Sequence, residues 1–356
     1  MLTIVMLVCS LVATPALAVS EGAPAILQPL LITSARAAAL GGVSVVIEES
    51  GVSGWRNPGF LAFDRKWRAT GTETQLVPDL VDDIHLRSLL LSAPLTFGVP
   101  LTLAAGYAKL DFGESTIFLP DGSEIPFEGY DRTYQLSASA QLWGTIGAGI
   151  TVEHVYSKLT DPIPELNISD GDADAFGVSL GLGVRRRFTF LRGEVSKSEF
   201  TITPLAGVSL LNWGGELQYN DEDQAEDMAR HLHIGAGLRL SHEPEFVPRF
   251  FDLMRLSQVS IAGYIERMTP EVDDDDERTM HYGGEMTAFG IVSYRFGHVD
   301  DPSGDITDNT HGWGVGVEDL LPFDVRLDYA SFPQATDLDR VERWDVMIAF
   351  DPIFLD

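Results

Sequence analysis

The sequence predicts an all-β chain, a fourteen-stranded antiparallel transmembrane β-barrel. Three observations predict it. From Tyr134 to Phe350 apolar residues recur at every second position over stretches of about ten residues, the period of a strand with one greasy face and one polar face. Counted from Lys66, fourteen strand candidates follow one another, and an even count returns both ends of a closed meander to one side of the membrane. The connections alternate between short turns and long polar segments, as they do when one end of a barrel faces the periplasm and the other faces outward.

Residues 1–18 stand apart. Met1 to Ala13 is a mostly apolar run, Thr14-Pro15 breaks it, and Ala16-Leu17-Ala18 offers the small residues that signal peptidase needs, so the segment reads as a signal peptide despite lacking Lys or Arg. It is too short for a membrane-spanning helix, and no other apolar stretch reaches the roughly twenty residues required. The only cysteine, Cys9, lies in this leader behind Val8, where a lipoprotein would carry a small residue. The mature chain then has no thiol, which suits an oxidising periplasm. Residues 19–64 are rich in Ala, Gly and Pro, lack alternation, and end near Trp55-Arg56-Asn57-Pro58-Gly59. Asn-Pro-Gly is a turn signal, read here as a tight turn before the first strand.

The wall is expected over 65–350, with a periplasmic tail at 351–356. Its strands are 66–77, 84–94, 101–112, 132–143, 146–158, 174–187 and 199–219, the last with a bend at Pro204. They continue with 229–241, 256–268, 279–287, 290–299, 311–318, 324–332 and 340–350. The clearest alternation sets Phe176, Val178, Leu180, Leu182 and Val184 against Gly177, Ser179, Gly181, Gly183 and Arg185. Long polar segments at 113–131, 159–173, 220–228, 269–278, 300–310 and 333–339 are expected to face outward, and 242–255 breaks the short-turn rule on the other side. A soluble sandwich or propeller also alternates. The leader, the number of consecutive strands and their length favour the membrane.

Formal charge is −29, with four Lys against twenty Arg, so the basic footprint of a nucleic-acid binder is missing. Acidic runs at 219–227 and 271–277 read as solvated loops.

Residues 27–63 resemble the N-terminal signature of the FadL-like outer-membrane proteins, most closely the PorV/PorQ branch. The match is carried by Ala35-Arg36-Ala37, Leu40-Gly41-Gly42, Glu48-Glu49 and Trp55-Arg56-Asn57-Pro58-Gly59, and at the other end by Leu327-Asp328-Tyr329-Ala330, Pro333 and Arg340-Val341. The chain departs from the pattern in having Asn-Pro-Gly for Asn-Pro-Ala and six residues beyond Phe350. The resemblance implies a bacterial outer-membrane barrel whose residues 19–64 enter the lumen as a hatch, with Arg36, Gly41, Gly42, Trp55, Asn57, Pro58 and Gly59 as the hatch motif. It implies either passive passage of hydrophobic small molecules or attachment to secretion-system proteins. Neither an enzymatic activity nor a cofactor is expected, and outer-membrane lipid is the surrounding partner.

Several residues invite chemistry. Gly177-Val178-Ser179-Leu180-Gly181 matches a nucleophile elbow but sits mid-strand, where the required sharp turn is missing. His231 and His233 share a strand face, and without further ligands they read as lumen-facing polar residues, with no metal expected. The run Asp273 to Glu277 lacks the ligand spacing of an EF-hand loop. Inward-facing charges are expected at Arg239, Arg295, Glu318, Arg326, Asp328, Arg343 and Asp345, pairing across the wall or with Arg36 and Glu48-Glu49 of the hatch. A charge filter is the alternative. In loop 113–131 the apolar Ile117, Phe118, Leu119 and Phe127, with Ile125 and Pro126, would either fold over a greasy ligand or project toward a partner.

Overall fold

A strand with small or polar residues on one face and aliphatic or aromatic residues on the other can satisfy lipid outside and a crowded polar interior only if the sheet closes, because an open edge would leave backbone groups unpaired in hydrocarbon. The chain does close. The structure is a computed structural model. It describes residues 34–351 except 79, 98, 119–121, 123, 160–170, 193–197, 219–225, 245–257, 271–277, 303–305, 318–322 and 335–337. The expected leader, the tail from 352, Leu119, Glu318 and the acidic run 271–277 lie outside the described residues.

Three short helices come first: α1 (Ala35–Ala39), α2 (Ser50–Arg56) and α3 (Pro58–Leu61). The strands that follow are β1 (Trp67–Gln75), β2 (His85–Phe97), β3 (Val99–Phe118), β4 (Glu124–Leu142), β5 (Ile146–Lys158) and β6 (Asp172–Arg185). Next are β7 (Phe188–Arg192), β8 (Ser198–Trp213), the small pair β9 (Glu216–Leu217) and β10 (Glu226–Asp227), and β11 (His231–Pro244). The chain finishes with β12 (Val259–Pro270), β13 (Thr279–Ala288), β14 (Val292–Asp301), β15 (Ile306–Val317), β16 (Phe323–Phe332) and β17 (Val341–Phe350).

Each wall strand pairs antiparallel with its neighbours, and β1 pairs with β17 from Trp67↔Phe350 to Thr74↔Arg343, which closes the ring. Strand β8 pairs with β6 and β7 on one side and with β11 on the other. Strand β7 continues the column of β6, so the ring has fourteen staves. The column breaks at Arg186 and Arg187, opposite Pro204, which has no N–H to give the ladder.

Burial is inverted relative to a soluble sheet. Leu180, Leu182, Val346 and Ile348 are exposed, while their neighbours Ser179, Asp345 and Met347 are buried. Exposed Trp143, Phe289, Phe323 and Phe350 ring the end with the short turns. Tyr107, Tyr134, His154 and Phe176 form a run of neighbouring rings across β3 to β6, and Trp313, Tyr329 and Trp344 form a second outer cluster. Apolar belts edged by aromatics belong to barrels that cross the outer membrane. The chain is a bacterial outer-membrane β-barrel. Among the described residues no helix is long and apolar enough to cross a membrane.

Two expectations need correction. Residues 113–131 are no loop: β3 and β4 stay paired out to Phe118↔Glu124, past a bulge between Asp111 and Glu114. Gly113, at φ +78°, makes the bulge, and Asp83 accepts the Glu114 amide at 3.0 Å. The strand expected to reach 219 ends at Trp213, because Asn212, Gly214 and Gly215 all take positive φ and turn the chain inward. Leu217 and Met228 consequently bury against Val155, Ala173 and Ala175, so the acidic run 219–227 is flanked by a tucked hairpin.

Candidate functional site

The inside of the ring holds residues 34–64, nearly all of them buried. Local sequence shapes this segment. Ser34 caps α1 by accepting the Arg36 amide, and the helix ends at Gly41 and Gly42, whose positive φ lets their amides return to Ala38 and Ala37. Gly41 lies flat on the wall, and a Cβ there would sit 2.5 Å from the His298 carbonyl oxygen. The Asn-Pro-Gly expected to turn the chain does something else. Asn57 caps α3, accepting the Gly59 amide at 3.0 Å, and Pro58 takes the first helical position. The Asn57 amide nitrogen also donates to Val45 O at 2.7 Å and to Leu182 O of β6 at 3.1 Å. Trp55 is half-buried, its ring against Gly106.

Wall glycines are the sockets for this segment. A Cβ on Gly147 would lie 2.1 Å from Gly59 O, and one on Gly297 would lie 2.1 Å from the Gly41 nitrogen. Gly181 likewise faces Asn57 Oδ1. Gly181 and Gly183 therefore admit the Gly59 backbone and the Phe60 ring. Ser179, in the elbow-like motif, is mid-strand, with its hydroxyl donating to Glu153 at 3.2 Å and accepting the Asn212 amide.

Charges bolt the segment in place. Arg36 grips Glu285 of β13 with two bonds of 2.9 and 2.7 Å and donates to Glu49 at 2.9 Å. Glu49 also pairs with Arg326, Arg326 with Asp328 at 2.6 Å, Asp328 with Arg295 at 2.6 Å, and Arg295 with Glu285 at 2.6 Å. The six side chains form a closed ring of alternating sign that spans the inner segment, β13, β14 and β16. On another side Glu48 pairs with Arg185 of β6 at 2.9 Å and with Arg239 of β11. Burial alone would raise the Glu49 carboxyl, but Arg326 and Arg36 outweigh it and hold the group well below the usual carboxylate range. Glu48 is likewise lowered, Arg239 and Arg185 overcoming the cost of burial.

A third clamp centres on Glu266 of β12, which accepts the Ser44 amide at 2.5 Å, the Val45 amide at 2.8 Å and the His233 Nδ1 proton at 2.6 Å. His281 Nδ1 donates to Gly41 O at 2.6 Å, and Thr310 bridges the Gly41 amide and Ala39 O. Asp345 accepts the Ala35 amide at 2.6 Å, and Arg343 donates to Thr74 at 2.6 Å. His231 is buried beside His233, their rings 6.0 Å apart. Among the described residues no group of three or more His, Cys, Asp or Glu is placed to hold a metal ion.

The structure thus brings together Arg36, Arg239, Arg295, Arg326 and Asp328, and seats Gly41, Gly42, Asn57, Pro58 and Gly59 in the contact with the wall. Asp345 lies beside the ring of six as the register partner of Asp328, Arg343 is two residues from it, and His231 and His233 line the inner face near Glu266. Ile117, Phe118 and Phe127 fall in the paired strands β3 and β4, far along the chain from these clamps. Glu266, Glu285, His281 and Thr310 were missed by sequence reasoning. Their signal was position: each alternates onto the inner face of a strand whose other face is apolar.

No family model matches the sequence, and no curated protein matches it. Similar solved structures include the Pseudomonas putida toluene transporter TodX, 14% identical over 94% of this chain and 99% of that one, with a TM-score of 0.43. The Ralstonia pickettii toluene transporter TbuX is 12% identical over 88% and 96%, with a TM-score of 0.44. A Pseudomonas aeruginosa FadL homologue is 11% identical over 90% and 98%, with a TM-score of 0.40. Likeness at this level carries nothing about function, and the membrane barrel rests on the closed ring and its apolar exterior.

Proposed function

We propose that this chain is a FadL/PorV-type barrel that passes hydrophobic small molecules across the outer membrane without catalysis, with residues 19–64 as its hatch. The observation that supports this is an apolar seam between the inner segment and the wall. Val43, Val45, Val46 and Ile47 of the inner segment pack with Phe60 and Phe63 against Leu205 of β8 and Ala262 and Tyr264 of β12. A greasy solute entering between segment and wall would replace one apolar contact with another along this seam, while the ion pairs elsewhere keep the segment attached. The test is entry of an apolar fluorescent dye into vesicles with a lipopolysaccharide outer leaflet. Faster entry with the barrel than without it, reduced by Leu205→Asp, supports the reading, and equal entry with and without the barrel sinks it.

One observation favours a second reading, a secretion-system subunit that binds protein partners. The β3–β4 hairpin continues to Phe118↔Glu124, whereas β2 stops pairing with β3 at Asp111 and β5 stops pairing with β4 at Tyr130. A hairpin held in ladder pairing beyond its neighbours' ladders suits a protein partner better than a loop folded over a ligand does. Stoichiometric protein partners co-purifying from native membranes, and lost on deletion of 113–129, would establish this reading over the first.

A further inference from the structure

The outer face carries a recess of about 410 Å³ at the end of the barrel with the short turns. Its apolar lining is Phe190 of β7, Phe200 and Ile202 of β8, Leu240 of β11, and Val259 and Ile261 of β12. These residues are neighbours by register: Ile202 pairs with Leu240 and Leu240 with Ile261, while Phe200 pairs with His242 and His242 with Val259. The concavity arises where the wall changes length. β5 and β6 end their pairing at Ile146↔Val184, but β7, β8 and β11 run on, with β8 and β11 paired as far as Ser198↔Pro244. The lip so formed stays greasy beyond the aromatic edge, since Phe190 is 63% and Phe200 45% exposed.

Two features say what covers it. The recess opens continuously into the apolar belt through Leu238 and Ile265, both exposed, so a hydrocarbon chain reaches it without crossing water. Polar groups then mark its edge. In a chain of formal charge −29, three successive arginines, Arg185 to Arg187, stand at the β6–β7 break. Arg185 turns inward to Glu48, and Arg187 lies 4.0 Å from Glu199. Arg186 is exposed, with its guanidinium 4.9 Å over the ring of Phe188, which pairs with Ile202 of the lining. His242 packs on Phe200, ring centres 4.4 Å apart, at the opposite end of the recess, since it pairs with Phe200 while Arg186 faces Pro204. An apolar trough with a cation beside it, over the ring of Phe188, matches a lipid with an acyl tail and a phosphate.

We propose that this recess binds one acyl chain of an anionic phospholipid in the leaflet at the short-turn end, with the headgroup held by Arg186. The site does not depend on what the lumen passes. It fixes a lipid where β7 and β8 leave the rest of the wall and covers apolar surface that would otherwise meet water.

Native mass spectrometry of the detergent-purified full chain tests this with phosphatidylglycerol and phosphatidylcholine of identical chains. The expected result is one retained lipid, with phosphatidylglycerol favoured about fivefold, the preference that one basic residue near a lipid surface gives. Ile261→Trp fills the trough and should remove both lipids, with Leu240→Trp as the second variant if the first misfolds. Arg186→Gln should keep a lipid and lose the preference. Retention that is unchanged in the filled variant, or a preference that survives in Arg186→Gln, would overturn the proposal. So would a photo-reactive analogue at position 200 that, in native membranes, captures the chain's own residues or another protein in place of lipid.

Discussion

Replacing Arg36 by alanine should unseat the inner segment. In the ring of six, Arg36 carries three bonds from α1 to Glu49 and Glu285, between 2.7 and 2.9 Å. The ring is neutral as folded, with Arg36, Arg295 and Arg326 set against Glu49, Glu285 and Asp328. Without Arg36 it holds one excess negative charge in a largely buried place. Removing one partner from a buried ion pair costs about 3–5 kcal/mol, because the other charge is left uncompensated. Arg326 and Arg295 still face the two carboxylates, so the lower end of that range applies, about a hundredfold in the equilibrium between seated and released segment. The assay is efflux of a small polar dye from vesicles bearing the full barrel, with wall integrity followed separately by heat-modifiable migration in gels. Arg36→Ala should leak with the wall intact, and Arg36→Lys, which keeps the charge but loses the two-pronged grip on Glu285, should leak less than Arg36→Ala. Equal leak in wild type and Arg36→Ala would refute the reasoning, since it would mean that the ion pairs do not hold the segment.

Gly297→Ala should also loosen the segment, by about 1–3 kcal/mol, because the new methyl would meet the Gly41 backbone. Gly263→Ala, with open space around it, should be neutral in the same efflux assay. Asn57→Ala removes a helix cap and two buried bonds to carbonyls, a loss of about 1–2 kcal/mol from the cap alone, visible as faster hydrogen exchange at the Gly59 amide. Acid should act late. The Glu48 and Glu49 carboxyls lie below their unfolded value of about 4.3, so their contribution is complete above that pH and is lost only as pH falls through the lowered folded value. These two carboxyls should stay ionised from pH 7 to pH 5 in infrared difference spectra compared with Glu48→Gln and Glu49→Gln, and a Glu48 or Glu49 band that protonates near pH 6 would contradict the assignment.

Much of this architecture was legible in the chain because the two faces of a strand meet different solvents. The alternation at Phe176 to Arg185 gave both the outer belt and the inner wall, since an error of one residue in register would put Leu180 and Leu182 against Asn57 and Phe60. The inward charges Arg295, Arg326 and Asp328 could be read the same way. What they hold could not, because Arg36 and Glu285 are far apart in sequence and only closure of the ring brings them within 2.7 Å. Asn57-Pro58-Gly59 was misread for a related reason. The same three residues make a turn in water and a helix start in a crowded interior, and contact with Leu182 selects the second. The reach of β3 and β4 was hidden by Pro126 and by charged residues that serve a free edge outside the membrane as well as they serve a loop. The inward tuck at Leu217 and Met228 rests on two apolar residues either side of an acidic run, too few to show a period.

The account depends on which side of the wall meets hydrocarbon. Because Cys9 is the only cysteine, single cysteines at Leu182, Val346 and Ile348, and at the inward Thr70, Ser179 and Asp345, can each carry a spin label in a Cys9→Ser background. Collision with oxygen dissolved in the bilayer should be high for the first three and low for the second three. High accessibility at the inward set, or none at Leu182, Val346 and Ile348, would contradict it.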